Sequence, residues 1–186
     1  ACTVSVNTRF GSKLLVPDAG IVLNNEMDDF AIHSTGKVYG LVGNEANSLQ
    51  PWKRPLSSMS PTIILEDGET FLAIGSPGGS TIITTVLQTI MNRVDLGMDI
   101  PEAIAAPRAS QRNAASVTAE PEFIDAYGNQ LKPYGHKLTP AGDAFTSAAE
   151  IGAATAIELM PDGSMVAAAE PVRRGGGSAL VLKPSR

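Results

Sequence analysis

Residues Asn24 to Asp29 set two amides and three carboxylates in six positions, within the stretch NNEMDDF that follows the apolar run Ile21-Val22-Leu23. Such a knot can coordinate calcium, hold an ammonium group or form a solvated turn. The calcium-loop pattern D-x-[DN]-x-[DN]-G with a later glutamate is absent, which disfavours the first reading. An amine suits the residue types, because carboxylates and amide oxygens accept its three hydrogens with charge assistance. A second candidate is GSPGGS at 75–80, between an apolar strand pattern and a helical one. Glycines there let backbone N–H groups approach a phosphate, a carboxylate or a developing oxyanion, with a helix N-terminus adding favourable potential; the alternative is a tight structural turn. Its spacing matches neither G-x-G-x-x-G nor G-x-x-x-x-G-K-[ST]. A third stretch, Arg54-Pro55-Leu56-Ser57-Ser58-Met59-Ser60-Pro61, places three hydroxyls between two prolines. Short donors on a stiffened backbone can hold a carboxylate, although a plain loop reads the same way. Neither S-x-x-K nor G-x-S-x-G surrounds these serines, so a serine-nucleophile reading has no support. Together, acceptors for an amine, hydroxyls for a carboxylate and a glycine loop for an oxyanion suit an amino-acid substrate whose amide is attacked.

Composition narrows the remaining chemistry. A single cysteine, Cys2, excludes an internal disulfide and a cysteine-only metal cluster, and His33 and His136 stand far apart in sequence, so no metal site and no cofactor is expected. Fourteen basic and 19 acidic residues without long blocks, for a net charge of -5, argue against nucleic-acid or anionic-membrane partners. No run approaches the roughly 18 apolar residues of a membrane helix, and the first residues lack a basic-then-apolar leader pattern. At 186 residues and 43% hydrophobic content, one globular domain spanning 1–186 is expected.

The elements that must position these residues follow from periodicity. ACTVSVN alternates, with Cys2, Val4 and Val6 on one face and Thr3, Ser5 and Asn7 on the other, which predicts a half-buried strand that the chain enters without a cap or turn. That abrupt entry suggests a piece of a processed precursor. Residues 62–65 and 70–74 flank Glu66-Asp67-Gly68-Glu69 as a hairpin. Ile83, Val86 or Leu87, Ile90, Met91 and Val94 recur at helical spacing, predicting a helix over 80–96 that stops at Gly97. Shorter helices are expected at 101–106, with Pro101 near its start, and at 121–134, with Ile124, Tyr127, Leu131 and Tyr134 turned inward and Gly135 as the stop. A second hairpin is expected around Pro161-Asp162-Gly163-Ser164. The fold class is therefore α+β.

Four motifs in order, NTRFGSK (7–13), GIVLNNEMDDF (20–30), KRPLSSMSPT (53–62) and GSPGGSTIITT (75–85), resemble the small, C-terminal subunit of gamma-glutamyltransferases, also called gamma-glutamyltranspeptidases. The likeness is close from about residue 3 to Arg108, looser through the following helical stretch, and returns at the final hairpin and the RRGGG tail. It implies an N-terminal nucleophile hydrolase fold, an αββα sandwich shared by a large and a small subunit cut from one precursor. It also implies an activity: a threonine attacks the gamma-glutamyl amide of a donor such as glutathione, and the acyl group passes to water or to an amino-acid or peptide acceptor. Carried onto this chain, the resemblance puts Ser5 where a threonine hydroxyl lies beside the nucleophile. Asn7, Glu26 and Asp29 match positions that hold the donor's amine, Ser57 and Ser58 those that hold its carboxylate, and Gly78 and Gly79 the oxyanion pair. Tyr39 matches a lid tyrosine of bacterial members, in a loop of different length from some relatives. The family's nucleophile lies upstream of the strand corresponding to residues 2–7, so the isolated chain is expected to be inactive; Cys2, on the apolar face and behind Ala1, is not its substitute. A periplasmic or extracellular location is expected from the resemblance alone. Two alternatives stay open: an acylase of the same fold acting on a cephalosporin or on poly-gamma-glutamate, and a noncatalytic amino-acid-binding module.

Overall fold

A computed structural model of the chain describes residues 5–8, 10–31, 45–142, 150–173 and 176–179. The chain divides into two compact units, Cys2–Met59 and Ser60–Arg186, the latter together with Ala1. The class is α+β.

In the first unit, regular structure is sparse. Strands β1 (Leu15–Val16) and β2 (Ile21–Val22) form a two-residue antiparallel ladder, and 3-10 turns occupy Glu26–Asp29 and Glu45–Asn47. The described part of the expected opening strand, residues 5–7, carries no strand ladder, and Cys2, Thr3 and Val4 lie outside the described residues. Alternation survives, but with its covered side reversed: Ser5 and Asn7 are half-buried whereas Val6 is exposed. Polar partners near Ser5 and Asn7, rather than apolar packing, set that side.

The second unit is built on a four-stranded antiparallel sheet in the order β3 (Thr62–Glu66), β4 (Glu69–Gly75), β8 (Thr155–Leu159), β9 (Met165–Ala169). Asp67 and Gly68, both at positive φ (51° and 89°), make the two-residue turn of the first hairpin, as an Asp-Gly pair favours. Phe71 is an extra residue there, since Ile64 pairs with Leu72 and Leu65 with Thr70. Cross-strand pairing puts Ile64, Leu72 and Val166 in one row and Ile74, Ala156 and Ala168 in another on the same face. That face packs on α1 (Ile82–Val94) and α2 (Ile100–Ala105), forming a core of Leu72, Ile74, Ile82, Val86, Ile100, Ile104, Ala154, Ala156 and Ala168. Each fully buried Leu or Ile in it contributes about 1.5–3 kcal/mol.

Helix α2 starts as its sequence dictates, with Asp99 and Glu102 in a reciprocal capping box and Pro101 in the first turn, where its missing N–H costs nothing. Helix α1 meets expectation in part, with Val86 in the core and Ile90 packed against it. Ile82 and Val86 are buried with Thr85, Thr89 and Asn92, while Ile83, Leu87, Met91 and Val94 face outward. Small hydroxyls bonding back to the carbonyl four residues earlier (Thr85 to Thr81, Thr89 to Thr85) let that stripe lie close to neighbouring backbone. A smaller sheet joins β5 (Ala109–Ser110) to β6 (Val117–Ala119), antiparallel, and β6 to β7 (Leu138–Pro140), parallel. Helix α3 (Pro121–Leu131), extended by a 3-10 turn over Lys132–Tyr134, supplies the crossover and ends at left-handed Gly135. Ile124 and Leu131 are half-buried on it, but Tyr127 and Tyr134 are exposed, contrary to the inward expectation. Tyr127 packs on Phe123 instead, one turn earlier on the same helix.

Candidate functional site

The acidic knot folds as a short 3-10 turn whose geometry its own amides define. Asn24 accepts the Glu26 N–H (3.1 Å), and the Asp28 N–H bonds to the Asn25 carbonyl (3.0 Å). Asn25 then reaches across to Asn7, accepting its backbone N–H at 2.7 Å and donating to its carbonyl at 3.1 Å. Asp28 fixes the orientation of that amide by accepting its second N–H at 2.6 Å. With both backbone groups clasped, Asn7 donates from Nδ2 to Asp29 Oδ1 at 3.2 Å. The structure thus brings Asn7, Glu26 and Asp29 together, and gives Asp28 a role that the sequence did not indicate.

Asp29 is 7% exposed, and no basic side chain pairs with it among the described residues. Burial pushes its carboxyl from 3.8 up to about 6; repulsion from Glu26, a hydrogen bond with the Glu26 carboxyl and repulsion from Asp28 add to that rise, and only the Asn7 amide opposes it. A cation bound there would favour the ionised carboxylate and offset the repulsion from Glu26 and Asp28. What anchors the turn from behind is Asn47, whose Nδ2 donates to the Asp29 carbonyl (2.7 Å), whose Oδ1 accepts the Leu56 N–H (2.8 Å), and whose own carbonyl accepts the Ala31 N–H (2.9 Å). Asn47 therefore couples the acidic turn to the start of the serine loop. No periodicity or motif around it could have signalled this.

In the serine loop, Ser57 is exposed and its hydroxyl accepts the Met59 N–H at 3.2 Å, whereas Ser58 is buried. Ser5 donates to Met59 Sδ at 3.3 Å, so the loop and the segment preceding Asn7 are also in contact. Met59 is that contact. Tyr39 and His33 lie outside the described residues.

Gly78 and Gly79 occupy the junction between β4 and α1. Gly78 has φ 142° and Gly79 φ 55°, and a Cβ on Gly78 would stand 2.6 Å from Thr81 Oγ1 and 3.2 Å from the Gly152 Cα. Gly78 must therefore be glycine on two counts, backbone conformation and space. Its carbonyl accepts both the N–H and the hydroxyl of Thr81 (3.1 and 2.8 Å), which ties the loop to the first turn leading into α1. The loop's peptides thus sit at the positive end of a 13-residue helix, where a developing negative charge is favoured.

Sequence reasoning also missed a buried ion cluster in the second unit. Arg108, Glu120, Glu170 and Arg173 are each 1–3% exposed. Arg173 holds Glu120 through Nε (2.5 Å) and Nη2 (2.6 Å) and Glu170 through Nη1 (2.9 Å), while Arg108 Nη2 meets Glu170 at 3.0 Å. Burial alone would raise the Glu120 carboxyl, but Arg173 and the backbone N–H groups of Ile151 and Arg108 outweigh it and hold it below the ordinary carboxylate range. Apart from Glu170 and Arg173, which stand three positions apart, the cluster's partners are distant in sequence, Arg108 from Glu170 by 62 positions and Glu120 from Arg173 by 53, and no motif marked them.

Comparison with known proteins bears on the whole chain. The family model described as gamma-glutamyltranspeptidase matches residues 1–180. A glutathione hydrolase proenzyme of Escherichia coli strain K12 is 55% identical over 109 residues, which are 58% of this chain and 19% of that protein. The chain spans about a fifth of the length of the curated relatives it matches. Among solved structures, a highly active mutant of gamma-glutamyltranspeptidase from Pseudomonas nitroreducens superposes with a TM-score of 0.78 at 34% identity, covering 98% of this chain and 92% of that one. A mutant of gamma-glutamyltranspeptidase from Helicobacter pylori gives 0.75 at 39% identity, with 91% of each chain covered.

Proposed function

The chain belongs to the gamma-glutamyltranspeptidase family, and on that premise we propose that it is the small-subunit part of an enzyme that cleaves gamma-glutamyl amides such as glutathione. The gamma-glutamyl group passes to water or to an amino-acid or peptide acceptor. The observation that carries this reading is the Asp29 clamp: a buried carboxylate crowded by Glu26 and Asp28, facing Asn7 and lacking a basic partner among the described residues. Such a site gains most from a ligand ammonium, which supplies the positive charge and the donors together.

In this reading Asn7, Glu26 and Asp29 take the donor's α-ammonium, and Ser57 and Ser58 its α-carboxylate. A threonine hydroxyl from outside these 186 residues attacks the gamma-carbonyl carbon, with Ser5 beside it. As that bond forms, the carbonyl π electrons move onto oxygen, and the N–H groups of the Gly78–Gly79 loop stabilise the charge. Collapse of the tetrahedral species breaks the C–N bond and expels the amine, which carries off the proton given up by the threonine hydroxyl, leaving an acyl-enzyme that water or an acceptor amine resolves. Two separate parts of the chain thus supply recognition and electrostatic stabilisation. Tyr39 retains its proposed place as a lid residue.

A partner chain is part of the proposal. Ile63, Ala73, Ile157 and Ala167 form a cross-strand row on the sheet face opposite α1 and α2, with Ile63 and Ile157 exposed. A second sheet, contributed by the large subunit of the same precursor, would cover such a face and complete the αββα layering. The test uses the enzyme assembled from both subunits: Asp29→Ala should raise the KM for a chromogenic gamma-glutamyl anilide about 10–100-fold, as loss of a charge-assisted contact predicts, with a smaller effect on kcat. An unchanged donor KM would sink the amine assignment.

A further inference from the structure

Behind the glycine loop lies the segment Ile151-Gly152-Ala153, and the buried ion cluster grips it. Glu120 Oε1 accepts the Ile151 N–H at 2.8 Å, and Arg108 Nη1 donates to the Ile151 carbonyl at 2.8 Å, so both backbone groups of one residue are held by buried charge. One position on, Gly152 adopts φ 68°, and a Cβ on it would stand 2.5 Å from Thr85 Oγ1 and 2.9 Å from Ser76 Oγ. Its Cα is the backbone that a Gly78 side chain would meet. One position further, the Ala153 N–H donates to Ser76 Oγ at 3.1 Å, and that hydroxyl donates in turn to the Pro77 carbonyl at 2.7 Å. Ser76 is thus a relay. It accepts from a segment fixed by the ion cluster and holds the peptide that joins Pro77 to Gly78.

We infer that Ser76 is a positioning residue for the Gly78–Gly79 loop, and that Gly152, held through Ile151 by Arg108 and Glu120, is the rigid floor against which that loop is set. This rests on the proposed oxyanion role of the glycine pair. The physical reason is that an oxyanion site acts only if its donors are already aimed when charge develops, and a loop of glycines has no side-chain rotamers of its own to restrain it. Removing the Ser76 hydroxyl frees the Pro77 carbonyl and leaves the Ala153 N–H without its acceptor, while leaving the amine clamp untouched. The loss should fall on the chemical step and not on donor affinity.

The experiment compares Ser76→Ala, Gly152→Ala, Gly78→Ala and Thr89→Ala in the assembled two-subunit enzyme. For each, kcat per titrated active site, donor KM, and affinities for glutamate and for a boronic-acid analogue that mimics the tetrahedral species are measured. Ser76→Ala should lower kcat at least 10-fold and weaken the boronate in parallel, with donor KM and glutamate affinity within about threefold. Gly152→Ala should do the same, and if either variant fails to mature, Ser76→Cys carries the same readouts. Thr89, buried in α1 and bonded to the Thr85 carbonyl but not to the loop, is the control for core damage, and Thr89→Ala should keep kcat. Full kcat in Ser76→Ala alongside a collapsed Gly78→Ala would overturn the inference and leave the oxyanion reading standing. Full kcat and boronate affinity in Gly78→Ala would defeat that reading, and the inference with it. Equal losses in Thr89→Ala and Ser76→Ala would reduce the effect to general destabilisation and also overturn it.

Discussion

Asp29 in the first unit and Glu120 in the second are both buried carboxylates, 7% and 3% exposed, yet their environments drive them in opposite directions. Asp29 has other carboxylates for neighbours and one amide donor, and its carboxyl is pushed up to about 6. Glu120 has a bidentate guanidinium and two backbone N–H groups, and is held below the ordinary range despite deeper burial. On the proposed reading, the difference separates recognition from scaffolding. A buried charge matched inside the fold has nothing left to offer a ligand, whereas one surrounded by like charge stays poised for an external cation. The supporting structure differs too: short turns and the Asn47 side chain hold Asp29, while the ion cluster is bonded to the backbone of Ile104, Ala106 and Ile151 as well as to itself.

Breaking the matched cluster should have the largest effect. Glu120→Ala leaves Arg173 without its bidentate partner and removes an acceptor from Ile151, and should cost about 3–5 kcal/mol in thermal or denaturant unfolding. A cost below 1 kcal/mol would mean the cluster is not the scaffold described. Next in size, Asp29→Asn tests the unmatched site. A carboxyl whose folded value is raised gives stability that is present below the ordinary 3.8 and lost as pH rises through about 6, so the asparagine variant, free of that loss, should be more stable than the parent by roughly 1–3 kcal/mol at pH 8. The gain should vanish near pH 3, and a gain independent of pH would refute the electrostatic account. Glu120 shows the opposite sign: its stabilisation is present above its ordinary value and drains away as acid protonates it, so melts between pH 5 and 2 should lose more in the parent than in Glu120→Gln.

Donor binding offers a subtler contrast. Because the proposed amine clamp requires Asp29 ionised, donor KM should rise several-fold as pH falls below about 6, and this dependence should disappear in Asp29→Asn along with most of the affinity. The smallest predicted effect belongs to Asn25→Ala, which removes the clasp on both backbone groups of Asn7. Two part-buried hydrogen bonds are worth about 1–2 kcal/mol to the position of Asn7, of which only part reaches the donor, so a three- to tenfold rise in donor KM with kcat nearly intact is expected from steady-state kinetics. An unaltered KM would show that Asn7 holds its place without that clasp.

Much of the second unit was legible because its signals are local. The Asp67-Gly68 turn, the Asp162-Gly163 turn, the helix start near Pro101 and the Gly135 stop each depend on a few adjacent residues, and each appears where the sequence puts it within a residue or two. What failed was the choice of buried face. On helix α1 the periodicity through Ile83, Val86 or Leu87, Ile90, Met91 and Val94 covers two sides: Val86 and Ile90 pack on the core beside the small hydroxyls of Thr85 and Thr89, while Ile83, Leu87, Met91 and Val94 face outward. Val6, Tyr127 and Tyr134 misled for the same reason, since an apolar side chain does not state whether this chain or something else covers it.

Residue types and spacing alone determined that the chain has an α+β fold, that the acidic knot at 24–29 suits an amine or a solvated turn, and that Gly78 and Gly79 stand where a strand runs into a helix; the choice of Asn7, Glu26 and Asp29 came from the family resemblance. Tertiary structure decided the rest, because pairing and burial depend on residues distant in sequence. Asn25 and Asp28 orient Asn7 across 18 positions, Asn47 ties the acidic turn to Leu56, and Arg108 finds Glu170 across 62. A carboxylate's charge is written in the chain, but whether the fold satisfies that charge or leaves it for a ligand is set by which partners the fold brings within about 3 Å.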